Sequence, residues 1–98
     1  MNIQAMMKQA QALQRDMLKV KDELDATEFT GESSLVKVTV LGSKKVIKVE
    51  IQDKENLDND DLEILEDMIM VALNDAFSKV DAATEKKMGK FGNIPGLF

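Results

Sequence analysis

Residues 35–51 read LVKVTVLGSKKVIKVEI, and the fold turns on how this stretch is paired. Val36, Val38 and Val40 alternate with polar residues, as do Ile47, Val49 and Ile51. A period of two places each trio on one face of a strand, so the stretch predicts a β-hairpin. A four-residue loop over residues 42–45 sets Val40 against Ile47, Val38 against Val49 and Val36 against Ile51. It also faces Lys37 with Glu50, a favourable cross-strand pair. A two-residue loop at Gly42 and Ser43 would face Lys37 with Lys48, which disfavours it. Phe29 and Thr30, just before Gly31, add a short third strand or a bulge. One face of this sheet is apolar and needs a cover.

Covers lie on both sides of the hairpin. Residues 1–27 form a helix in which Ile3, Met6, Ala10, Leu13, Met17, Val20 and Leu24 recur at alternating intervals of three and four. That is the a/d seam of a heptad pattern held over three repeats, with no Gly or Pro to break it. After a polar connection at residues 53–59, a second helix runs over residues 60–88 through Leu62, Leu65, Ile69, Leu73, Ala76 and Val80. Asn59 or Asp60 caps its start, with Glu63 completing a capping box from Asp60. Residues 68–73 are apolar all round, which places Ile69 and Leu73 in a core or subunit seam along with the first helix's heptad positions. Gly89 marks the end of the helix, and residues 89–98 are expected to be a flexible tail. The 98 residues are expected to form one domain.

The helices are long for so small a chain. At 1.5 Å per residue they span roughly 37 Å and 40 Å. A compact chain of this length has a radius of gyration of roughly 13 Å, hence a diameter of about 33 Å. Two such rods and one small sheet leave apolar surface uncovered, and a second copy is the commonest cover, so a homodimer with projecting helix ends is expected.

Composition excludes several functions. The chain has no His and no Cys, the commonest general base and the commonest nucleophile, and no Gly-rich phosphate loop. An enzyme is therefore not expected, nor a cofactor, a small-molecule substrate or a metal. The acidic run Asp58, Asn59, Asp60, Asp61 resembles a calcium loop only superficially: Glu63 stands where such a loop needs Gly, and Ile69 where it needs Glu. No secretory leader is visible and the longest apolar run, residues 68–73, is far too short to span a bilayer, so a cytoplasmic protein without membrane contact is expected.

The formal charge is −5, but it is unevenly spread. Residues 1–52 carry eight basic and seven acidic residues, residues 53–81 two and ten, and residues 82–98 three and one. Lys8, Gln11, Arg15 and Lys19 form a basic and polar stripe on the first helix, turned away from its seam. Lys86, Lys87 and Lys90 form a second basic cluster. Both have the chemistry to meet phosphates and base edges of double-stranded DNA, and a projecting helix is an element that a major groove admits. The competing readings are a solvated face, or a dimeric helical adaptor that binds a protein partner with DNA contact incidental.

Four segments taken together resemble the YbaB/EbfC nucleoid-associated DNA-binding family: MMKQAQALQRDM (6–17), FTGESSLVKVTVLG (29–42), LEDMIMVALNDAFSK (65–79), and EKKMGK with IPGLF (85–90 and 94–98). The most specific pieces are Thr30 to Ser33 followed by Leu35 to Val38, and Glu66 with Asp67 followed by Asn74, Asp75 and Ala76. The resemblance implies an α+β subunit of order α-β-β-β-α, with a three-stranded antiparallel sheet between two long helices. It also implies an intertwined homodimer with protruding helices, and DNA binding in the bacterial nucleoid linked to nucleoid organisation and gene regulation. Matched onto this chain, the family's first helix carries the stripe Lys8, Gln11, Arg15 and Lys19, and the end of its last helix carries Lys86, Lys87 and Lys90. The chain lacks the glycines that often follow the GES segment and has Lys54 where a proline is common.

Overall fold

The structure is a computed structural model and describes residues 2–91. Helix α1 (Ile3–Asp25) leads into strands β1 (Glu28–Ser33), β2 (Val36–Leu41) and β3 (Val46–Ile51), and helix α2 (Leu62–Met88) follows. The sheet is antiparallel in the order β1-β2-β3. The fold is therefore α+β with the order α-β-β-β-α, and the residues around Phe29 form a full third strand.

Local chemistry sets the helix limits. Asn2 caps α1, its side-chain oxygen accepting from the N–H groups of Gln4 at 3.1 Å and Ala5 at 3.3 Å. Between the cap and Asp25, α1 is built largely of Ala, Gln, Lys, Leu and Met, which lose little conformational freedom in a helix. The capping box of α2 lies earlier than the sequence reading places it, at Asp58 and Asp61 rather than at Asp60 and Glu63. The Asp60 N–H donates to the Asp58 carboxylate and the Asp58 N–H to the Asp61 carboxylate, both at 2.9 Å. The reason is a 3-10 turn, Asn59–Asp61, that runs directly into α2, so the chain begins to coil before the first α-helical bond.

Register follows the hairpin reading except at the turn. Val36 faces Ile51, Lys37 faces Glu50 and Val38 faces Val49, but Val40 faces Val46 rather than Ile47. Lys44 adopts a left-handed conformation (φ 72°), and the Leu41 N–H donates to the Lys45 carbonyl at 2.8 Å, so β3 starts at Val46. The extra residue is absorbed as a bulge beyond Thr39. Lys37 and Glu50 are opposite in register, but the Glu50 carboxylate pairs with Lys48 at 3.1 Å.

Helix α2 lies across β1 and β2. Val36, Val38 and Val40 meet Leu65, Ala72, Ala76 and Val80 in the main core, with Phe29, Ile51, Ile69, Leu73 and Phe77 at its margins. The helix sits very close to β1 because the strand has Gly31 at the crossing: a Cβ there would strike the Ala72 carbonyl and the backbone and side chain of Ala76. Polar contacts hold the same crossing. The Glu32 N–H donates to the Asp75 carboxylate at 3.2 Å, and the Lys79 ammonium donates to the Thr30 carbonyl at 2.8 Å. The cover stops at β2. On β3, Val46 and Val49 stay 41% and 46% exposed, while the bulge places Ile47, 43% exposed, on the opposite face of the sheet beside Thr39 and Lys48 rather than on the apolar face expected for it.

A second cluster joins the two helices. Met17 and Leu24 of α1 pack with Met88 and with Phe91, which is only 1% exposed. Phe91 belongs to a 3-10 turn, Gly89–Phe91, that continues α2. Ordered structure therefore extends three residues into the segment expected to be a flexible tail, because Phe91 finds an apolar seat there. The rest of that segment, residues 92–98, lies outside the described residues. Only the C-terminal part of the α1 seam is covered within the chain; Ile3, Met6, Ala10 and Leu13 are exposed. The chain is a rod of 72 × 18 × 15 Å with a radius of gyration of 19.6 Å, against roughly 13 Å for a compact chain.

Candidate nucleic-acid interface

The basic residues sit on the outer faces of the helix pair. Lys8, Gln11, Arg15 and Lys19 are exposed along α1, and Lys86, Lys87 and Lys90 are exposed at the end of α2. The Met17–Met88–Phe91 cluster fixes their relative position. It sets the turn of α1 that carries Arg15 and Lys19 beside the turn of α2 that carries Lys86 to Lys90. Lys8 and Gln11 lie one to two turns further out on the free part of α1. Among the described residues, none of these cations is held in an ion pair. Lys90 lies over the Phe91 ring at 5.0 Å, a contact that orients the side chain while leaving its charge available.

Acids occupy the opposite end of the rod. Asp53, Glu55, Asp58, Asp60, Asp61, Glu63, Glu66 and Asp67 cluster before and within the start of α2, whose first turn, with Glu63, favours negative charge, while Lys86 and Lys87 complement the helix C-terminus. Glu66 and Lys86 are twenty residues apart on one continuous helix, about 30 Å. Charges this far apart in water at physiological salt are screened over nearly four Debye lengths of about 8 Å. The −5 net charge is thus a poor guide to the potential at the basic end. Closer acids lie on both helices: Asp16 beside Arg15, Asp22 and Glu23 within one turn of Lys19, and Glu85 beside Lys86, while Asp81 is paired with Lys44 at 3.0 Å.

One feature has no signature in the sequence. A cleft of about 440 Å³ lies between α1, the β2–β3 turn and α2, floored by Met17, Leu24, Val80 and Met88. Its rim carries two ion pairs, Lys21–Asp25 at 2.8 Å and Lys44–Asp81 at 3.0 Å. The hydrogen bond and charge of Asp25 push the Lys21 ammonium above its usual pKa. Lys21 and Asp25 are recognisable as an i,i+4 pair, but Lys44 reaches Asp81 only because the turn docks on α1. There the Gly42 N–H donates to the Thr27 carbonyl at 2.9 Å, and a Cβ at Gly42 would meet the Leu24 carbonyl. Among the described residues, no group of three acids is placed to hold a metal, and no helix is long and apolar enough to cross a membrane.

Six of the thirteen Lys and Arg residues thus lie on the outer half of the helix pair of a rod-shaped α-β-β-β-α chain, and eight of the eighteen acids lie at the start of α2. Residues 1–94 match the YbaB/EbfC DNA-binding family, and the chain belongs to it. It is similar to a nucleoid-associated protein of Ligilactobacillus salivarius, 46% identical over 99% of this chain and 95% of the other. A nucleoid-associated protein of Streptococcus thermophilus is 50% identical over 97% of this chain and 98% of its own. Among solved structures, the uncharacterized protein HP0035 from Helicobacter pylori has the same fold, with a TM-score of 0.75 over 95% of this chain and 99% of the other at 18% identity.

Proposed function

We propose that this protein is a cytoplasmic, homodimeric nucleoid-associated protein that binds double-stranded DNA through the basic end of its helix pair, and that it contributes to nucleoid organisation and gene regulation. The observation that carries the reading is the placement of charge on the helix pair: six cations that are free of ion pairs among the described residues lie on its outer half, with the acidic cluster at the start of α2 about 30 Å from Lys86. Family membership and the names of the relatives point the same way. Lys8, Arg15, Lys19, Lys86, Lys87 and Lys90 meet phosphates, and Gln11 adds a neutral donor. Cations that serve phosphates carry little sequence information, so specificity is weak.

Support for the dimer comes from what one subunit leaves open. Val46 and Val49 on β3 lie beyond the edge of α2, and Ile64 and Val71 on α2 are about half exposed. An exposed edge strand with apolar side chains is rarely left bare, and a second copy covers it by symmetry. The sequence-level seam is thereby divided. Ile69 and Leu73 sit at the margin of the subunit's own core, Met17, Val20 and Leu24 close the helix pair, and the open β3 edge is the dimer surface.

If each subunit neutralises about three phosphates, log affinity falls with log salt at a slope near −5 for the dimer. A gel-shift salt titration of wild type beside Lys8→Glu/Arg15→Glu tests this reading. The double variant should bind more weakly and with a shallower slope. Wild-type affinity insensitive to salt, or a variant that binds as wild type does, would remove the stripe from the interface.

A further inference from the structure

The free part of α1 carries more apolar surface than DNA binding asks of it. Ile3, Met6 and Leu13 are 70%, 53% and 38% exposed, and with Ala10 they continue the seam that Met17, Val20 and Leu24 bury inside the subunit. A helix that only displayed cations would be polar on every side. Among the described residues nothing covers these four consecutive heptad positions.

We propose that this uncovered half-seam pairs with the same half-seam of a second copy in a neighbouring dimer, joining dimers along or across DNA. The inference rests on the DNA-binding dimer proposed above and names an additional partner surface. Three observations select the occupant. The three-and-four spacing of Ile3, Met6, Ala10 and Leu13 is met by a helix with the same spacing. The residues flanking the seam, Met7, Gln9 and Gln14, are uncharged, so self-pairing meets no like-charge repulsion, and Lys8 and Arg15 fall on the opposite side of the helix. Direction is also determined. Met88 and Phe91 already occupy the seam at Met17, so a helix laid parallel would drive its own body into α2. Only an antiparallel partner, its body beyond the far end, avoids that collision.

Antiparallel pairing sets Ile3 against Leu13 and Met6 against Ala10, and two-fold symmetry repeats both layers. Large residues face large at the ends, and large faces small in the middle. The cations of both arms stay outward. The contact extends over eleven residues, about 16 Å, and one helix width, short of the roughly 1,000 Å² of a stable interface. Free dimers therefore stay apart, whereas dimers held on one DNA molecule meet at millimolar effective concentration and pair. The half-seam makes DNA binding cooperative.

The test uses Met6→Gln/Leu13→Gln, which changes no charge and keeps good helix formers. On a duplex that holds one dimer, the variant should bind as wild type does. On a kilobase duplex, wild type should bind with a Hill slope well above one, and the variant should lose that slope and about tenfold or more in apparent affinity. Retained cooperativity in the variant overturns the proposal. So does dissociation of the free variant to monomers, which would make the half-seam the dimer interface itself. If wild type fails on the short duplex as well, the DNA reading falls. The pairing is then judged by cross-linking concentrated free protein, because the chain has no Cys. Met6→Cys mixed with Ala10→Cys should give a disulfide between the two variants under mild oxidation, and neither alone should do so efficiently. No mixed product, or efficient linking of Ala10→Cys to itself, overturns the antiparallel pair.

Discussion

Gly31→Ala adds one methyl group at the crossing of β1 and α2, and the structure makes that methyl expensive. The new Cβ would lie 2.9 Å from the Ala76 Cβ and closer still to the Ala72 carbonyl. Carbon atoms prefer roughly 3.5–4.0 Å, so α2 must retreat by about 1 Å at this point. That retreat stretches the 3.2 Å bond from the Glu32 N–H to Asp75 and the 2.8 Å bond from Lys79 to the Thr30 carbonyl towards breaking. Overpacking against backbone costs about 1–3 kcal/mol, and weakening the Asp75 bond adds about 1 kcal/mol. The sum, about 2–4 kcal/mol, is a large part of the roughly 5–15 kcal/mol that holds a typical domain. At 4–8 °C per kcal/mol for a domain of this size, Tm should fall by at least about 8 °C. The assay is thermal unfolding followed by far-UV circular dichroism at one fixed protein concentration, because an associating protein's Tm depends on concentration. Gly89→Ala is the control, since among the described residues a Cβ there meets nothing within 4 Å and the backbone is helical (φ −58°). It should leave Tm unchanged or slightly raised. A Gly31→Ala protein melting within a couple of degrees of wild type would refute the close-approach argument.

Phe91→Ala empties the best-buried seat of the second cluster and should cost about 3 kcal/mol, with faster hydrogen exchange in the turns of α1 around Met17 and Leu24. Unchanged exchange there would mean that Phe91 does not clamp the helices. Val49→Asp changes a side chain already 46% exposed in the subunit, so the subunit should keep its circular dichroism spectrum while sedimentation shifts from dimer to monomer. A dimer that survives the substitution moves the interface away from β3. Asp75→Asn should cost about 1 kcal/mol by urea unfolding, because it weakens the charge-assisted bond from the Glu32 N–H on a partly exposed side chain.

The parts of the fold that were legible in the sequence are those governed by periodicity. The valines of β2 and the heptads of α1 announce their faces because burial on one side imposes a period of two or of three and four. The parts that were not legible depend on contacts between distant segments. Phe91 looks like part of a Gly-containing tail until Met17 and Leu24 are seen to provide its seat. The bulge opposite Val40 depends on Lys44 taking a left-handed conformation, which nothing in a lysine advertises. The Thr30 to Ser33 and Asn74 to Ala76 motifs, which carry the family resemblance, gain a physical meaning only together: Gly31 admits Ala72 and Ala76, and Glu32 meets Asp75. They join helix to sheet and do not touch the basic end. For the candidate interface, the cations were readable as a stripe, but their grouping at one end required the antiparallel contact of α1 with α2.

The acidity of the chain is the sharpest test of charge separation, because distance and salt together decide when the acids matter. Two charges 30 Å apart in water interact by about 0.14 kcal/mol before screening. With a Debye length of about 30 Å, near 10 mM salt, roughly 0.05 kcal/mol survives per pair; at about 8 Å, near 0.15 M, only about 0.003 kcal/mol does. Neutralising Glu63, Glu66 and Asp67 in both subunits removes three repulsions per subunit against about three bound phosphates, eighteen pairs in the dimer. The triple variant Glu63→Gln/Glu66→Gln/Asp67→Asn should therefore bind DNA tighter by about 0.9 kcal/mol, nearly fivefold, at about 10 mM salt, and no differently at about 0.15 M. Glu85→Gln, next to Lys86 in the chain, should strengthen binding at both salt concentrations because its distance to the phosphates is within a Debye length. A triple variant that still binds several-fold tighter at the higher salt would mean that the acids of one subunit lie against the basic end of another, and that a single rod is the wrong unit in which to measure the distance.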